Sequence, residues 1–172
     1  MLRIFFLLMI LPILSGCFFN VERSNENSNE KNMPKDMPTD FNFSLKSGIN
    51  KNNEINTYEN TLTKDLIEDG KVTTTTTFTG EEMLDIYEKM RGINILAEKN
   101  LIPVTTCMQE PYEDDEWKIT INGETTKLLI SGKYCESTED AKQLIQLRNY
   151  IYSKVKRKEE YKNLPKAKGG YE

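Results

Sequence analysis

Few residues in this 172-residue chain are equipped for chemistry. Three cysteines stand at Cys17, Cys107 and Cys135, and the sequence holds no histidine. That removes the commonest general base, the usual zinc ligand and the side chain that titrates near neutral pH. Ser–His and Cys–His nucleophile pairs cannot form. Ser131-Gly132-Lys133 has the residue types of a Ser–Lys arrangement, but the tripeptide reads more simply as a strand end. The densest group of oxygen donors is Glu110, Glu113, Asp114, Asp115 and Glu116, set around Pro111 and Tyr112. Closely spaced carboxylates hold Ca²⁺ when a turn brings their oxygens to one point. The order here departs from an EF-hand loop and lacks its turning glycine. Glu113, Asp114, Asp115 and Glu116 are therefore metal-ligand candidates by residue type only, and the plainer reading is an exposed acidic shoulder with no metal. Paired carboxylates also cleave glycosides, but only when they face each other across a cleft. No phosphate-binding glycine loop and no dinucleotide fingerprint occurs, so no cofactor is expected. The net charge of −4 argues against nucleic-acid binding, which calls for a basic face.

The elements that must position these groups follow from periodicity. Asp40 to Ser47 alternates, with Phe41, Phe43 and Leu45 on one side, which predicts a half-buried strand. Glu54 to Lys64 reads as a second strand and Val72 to Phe78 as a third. The five threonines in that third run are β-branched and suit a pleated surface; one short row is too little for a carbohydrate- or ice-binding array. Thr79-Gly80-Glu81-Glu82 fits a capping box, and Met83, Ile86, Tyr87 and Met90 then draw one apolar helical stripe ending near Gly92. Val104 to Gln109 reads as a further short strand. Trp117 to Ile121 and Thr126 to Ile130 alternate around Asn122-Gly123, a type I′ hairpin signal.

Ser137 is the expected N-cap of a last helix with Ala141, Leu144, Ile145, Arg148, Ile151, Tyr152 and Val155 on one face. Lys154, Lys156, Arg157 and Lys158 at its end suit the helix dipole; anionic lipid heads are their second possible contact. The sum is an α+β domain over residues 40–158: an antiparallel sheet of about five strands with two amphipathic helices packed on one face. Residues 159–172 read as an extended tail whose Tyr161, Leu164 and Tyr171 can dock on the domain.

The N-terminus reads as an address. Arg3 precedes an apolar run from Ile4 to Leu14, too short for the roughly 20 residues a membrane-spanning helix needs and of the length of a signal-peptide core. Leu14-Ser15-Gly16-Cys17 resembles the lipobox of bacterial lipoproteins of the Gram-positive type. The resemblance implies that residues 1–16 are a lipoprotein signal peptide, that Cys17 carries a diacylglycerol on its sulfur, and that the mature chain begins there. It further implies long acyl chains such as palmitate and a place on the extracytoplasmic face of the cell membrane. Two acyl chains anchor stably where one does not. Residues 17–39 are rich in Asn, Ser, Glu, Lys and Pro and read as a disordered tether. With Cys17 lipidated, Cys107 and Cys135 remain as an even pair outside the reducing cytosol, which reads as a disulfide; two separate buried thiols are the alternative.

Further segments carry a second resemblance: FNFSLKSG at Phe41–Gly48, NEINTYENTLTKDL at Asn53–Leu66, the acidic capped helix, and EEYKNLPKAKGGY near the end. These are similar to small lipoproteins of low-GC Gram-positive bacteria, a group that implies no reaction and no catalytic residue. The expectation is a membrane-anchored, non-enzymatic binding or interaction module whose partners are the membrane and a protein at the cell surface. The alternative is an inhibitor or regulator of an extracellular or cell-wall enzyme, with the acidic shoulder meeting a basic cleft.

Overall fold

The computed structural model describes residues 31–172. Cys17, the expected signal peptide and the first part of the expected tether lie outside the described residues. Six strands form one antiparallel sheet: β1 (Asn42–Ser47), β2 (Asn53–Asn56), β3 (Thr61–Ile67), β4 (Gly70–Thr75), β5 (Asp114–Ile121) and β6 (Glu124–Ser131). Their order across the sheet is β4-β3-β2-β1-β5-β6. The helices are α1 (Gly80–Gly92), α2 (Glu139–Val155) and the short α3 (Glu159–Lys162). Among the described residues, no helix is long and apolar enough to cross a membrane.

The strand count is six rather than about five because the expected strand from Glu54 to Lys64 is broken. The Asn56 side-chain oxygen accepts the N–H groups of Tyr58 and Glu59, and Asn60 takes φ 53, so the chain folds back as a hairpin. Val104 to Gln109 forms no strand; only Met108 makes an isolated bridge, to Tyr134. The hairpin at Asn122-Gly123 forms with φ 51 and 77, as a type I′ turn requires. Asp40 fastens that turn by accepting both of its N–H groups, and the Gly123 bond in particular lowers the Asp40 pKa.

One sheet face is apolar. Leu45 sits opposite Trp117 and Ile55, Phe43 opposite Ile119, and Ile55 opposite Leu62. These residues form a single cluster with Ile86, Tyr87 and Met90 of α1 and with Ala141, Leu144, Leu147, Ile151 and Val155 of α2. The capping box of α1 is present: Thr79 Oγ1 accepts the Glu82 N–H, and Glu82 accepts the Thr79 N–H. Gly92 remains inside the helix, and Asn94 at φ 41 takes the left-handed turn beyond it. The N-cap of α2 is Thr138, one residue after the expected Ser137.

Both ends of the domain differ from their expected boundaries. Met33 is buried in the core and the Tyr87 hydroxyl donates to the Pro34 carbonyl, so the folded part begins upstream of Asp40. The tail is not simply extended: it contains α3, and Tyr171 docks by donating to Asp65.

Candidate functional site

The inward parity of β5 decides the site. Its residues alternate in burial, with Asp115, Trp117, Ile119 and Ile121 facing inward. Asp115 is thus a carboxylate in an apolar row, with only 2% of its surface exposed. Helical spacing brings Arg148 of α2 to it from above, because Arg148 lies on the stripe of Leu144 and Ile151. Arg148 Nη1 donates to Asp115 Oδ1 at 2.8 Å. The same nitrogen stands 3.6 Å from Glu113, which is beyond a direct hydrogen bond. Burial raises the Asp115 pKa and outweighs the opposing pull of Arg148. The second carboxylate oxygen, Oδ2, is buried without a partner among the described residues.

One helical turn beyond Arg148, the Tyr152 hydroxyl shares a 2.8 Å hydrogen bond with Ser47 Oγ at the end of β1. Burial pushes the Tyr152 phenol up to about 12, against the opposing effect of that bond. Above these groups opens a cleft of about 260 Å³, walled by Ser47, Asn53, Arg148, Tyr152 and Tyr161. Glu113, Asn149 and Lys156 line it as well.

A phenol with so high a pKa stays protonated at neutral pH, so Tyr152 offers Ser47 no base. Arg148 is immobilised at one edge by a buried carboxylate, and its Nη2 has no partner among the described residues. A guanidinium fixed in this way presents ready donors to a planar anion.

The four acids proposed as cation ligands are not brought together. Asp114 accepts from the Ser131 hydroxyl at 2.8 Å, Glu116 pairs with Lys51 at 2.8 Å, and Asp115 and Glu113 share Arg148. The two-residue period of β5 sends neighbours to opposite faces, which defeats a common site. Among the described residues, no group of three or more His, Cys, Asp or Glu side chains is placed to hold a metal ion. Ser131 and Lys133 are engaged separately, the one with Asp114 and the other over the Tyr134 ring. Cys107 and Cys135 are joined, with Cα atoms 5.5 Å apart, and tie the loop before β5 to the segment before α2.

Sequence reasoning named Asp115 for another role, placed Arg148 and Tyr152 only on a helical stripe, and passed over Ser47. The available signal was a cation inside an apolar stripe, facing an acid at inward parity. No protein-family model, curated protein or solved structure matches the chain.

Proposed function

We propose that this protein is a non-enzymatic binding module, anchored by a lipidated Cys17 on the extracytoplasmic face of the cell membrane. The observation that carries the binding assignment is the cleft over Arg148, where a buried carboxylate fixes a guanidinium whose Nη2 has no partner among the described residues. In this reading both amphipathic helices lie over the apolar face of the sheet. The shared cluster of Leu45, Trp117, Ile86 and Ile151 supports that arrangement. The alternative of an inhibitor that meets a basic enzyme through its acidic shoulder is less well served. Asp114, Asp115 and Glu116 are each engaged within the chain, and Glu113 alone of the four is held loosely.

Two readouts on intact Gram-positive cells test the proposal. A clickable palmitate analogue should label the wild-type chain and not a Cys17→Ser variant. A photo-crosslinking residue in place of Asn149, on the cleft rim, should give one dominant adduct that Lys156→Glu abolishes. A wild-type chain that takes no label refutes the anchor, and a crosslinking pattern indifferent to Lys156 refutes the cleft.

A further inference from the structure

We propose that the group this cleft receives is a carboxylate, presented by the ligand to the Nη2 edge of Arg148 with Lys156 as the second cation. The inference rests on the reading of the cleft as a binding site and names the chemistry that would enter it.

Three observations converge on it. Arg148 and Tyr152 of α2 and Lys156, the C-cap residue that follows it, stand at i, i+4 and i+8 and all line the cleft, so one end of the helix supplies both cations. Arg148 is held from behind by Asp115, which removes most of the conformational cost of ordering it when a ligand arrives. Lys156 is exposed, and no ion pair within the described residues engages it. The chain also supplies its own stand-in. Glu113 offers a carboxylate to the same guanidinium at 3.6 Å while its side chain remains 61% exposed. That is a loose, solvated contact, which a better-placed carboxylate can displace. Asn53, Asn149 and the Tyr161 phenol add neutral polar groups around the position, suited to the rest of a polar ligand. Tyr152 is unable to serve as a competing anion because its phenol stays protonated.

The test uses the full mature, lipidated chain in detergent and three probes in calorimetric titrations. These are an N-acetylated dipeptide with a free C-terminal carboxylate, the same dipeptide as its C-terminal amide, and inorganic phosphate. The acid should bind and the amide should not. Glu113→Gln removes the internal competitor and should tighten binding of the acid about threefold, while Lys156→Gln should weaken it about threefold. Arg148→Gln should abolish binding; because it strips Asp115 of its partner, the two rim variants keep the test valid if it fails to fold. Equal binding of acid and amide overturns the proposal, as does a Glu113→Gln variant that binds the acid no more tightly. Phosphate binding with no acid binding replaces the carboxylate by a tetrahedral anion and overturns it too. If the acid fails to bind while the palmitate label and the rim adduct persist, the carboxylate assignment alone falls.

Discussion

Asp115 sits under two opposing influences, and their balance has a measurable sign. Burial disfavours its charge, the Arg148 guanidinium at 2.8 Å favours it, and burial wins, so its folded pKa is raised. A raised carboxyl pKa contributes stability below the unfolded value of about 3.9, and that contribution is lost as pH rises through the folded pKa. Asp115→Asn keeps a carbonyl for Arg148 but binds no proton. Urea unfolding at a series of pH values should therefore show wild type losing stability relative to Asp115→Asn as pH climbs from about 4 toward neutrality. A constant difference would mean that the carboxyl does not titrate in this range. Glu82 should give the opposite slope. Burial alone would raise it, but hydrogen bonds from Lys158 and the Thr79 N–H prevail and lower its pKa. Its contribution is present above the unfolded value and lost as pH falls through the folded one, so Glu82→Gln should cost stability at neutral pH and little in acid. Of this chemistry, only the parity of Asp115 and the helical phase of Arg148 could be read in the sequence. Their meeting spans 33 residues and depends on how α2 lies over β5, which no local pattern specifies.

The elements stand or fall on short local devices, and these are where sequence and structure agree best. Thr79→Ala deletes the hydroxyl that caps α1 and should lower unfolding stability by about 1 kcal/mol. Gly132 acts at longer range, where the residue after β6 meets the residue before β5. Its N–H donates to the Glu113 carbonyl at 2.9 Å, and a Cβ there would stand 2.2 Å from that oxygen. Because the obstacle is backbone, Gly132→Ala must move the start of β5 and with it the Glu113 carboxylate. It should destabilise by about 2 kcal/mol or more and loosen the cleft rim, seen as a shift of Glu113 and Arg148 side-chain resonances. The capping box, the apolar stripes and the Asn122-Gly123 turn were legible because each depends on neighbours within four residues. The break between β2 and β3 was not. It turns on Asn56 using its side-chain oxygen as a turn acceptor instead of continuing a β-rich run. Val104 to Gln109 has strand-like composition, yet Val104 is fully solvent-exposed, and a strand needs a neighbouring edge that this loop meets only at Met108.

At the scale of the molecule, the connection after α1 is the weak point of the design. The chain leaves the β4 edge, passes through α1, and must then deliver β5 to the side of β1 through residues 93–113, which hold no helix or strand. A connection of that length is costly to order unless something fastens it. The Cys107–Cys135 bond does so, closing a loop with a sequence separation of 28. Chain entropy assigns such a closure roughly 3.6 kcal/mol, a large share of the roughly 5–15 kcal/mol typical of a folded domain. The bond also suits an oxidising compartment, where the proposed anchor would place it. The bridged loop leads directly into Glu113 and Asp115, so the staple and the cleft are mechanically connected. Replacing both cysteines by alanine should lower the urea midpoint strongly, and reductant should do the same to wild type but nothing more to the variant. The loss should fall on the cleft as well as on global stability. Hydrogen exchange of Asp114 and Gly132, whose N–H groups bond to Gly48 and Glu113, should accelerate ahead of that of the Leu45–Trp117 core pair. If core and cleft amides accelerated together, the bond would act only through the unfolded chain and the mechanical link would be refuted.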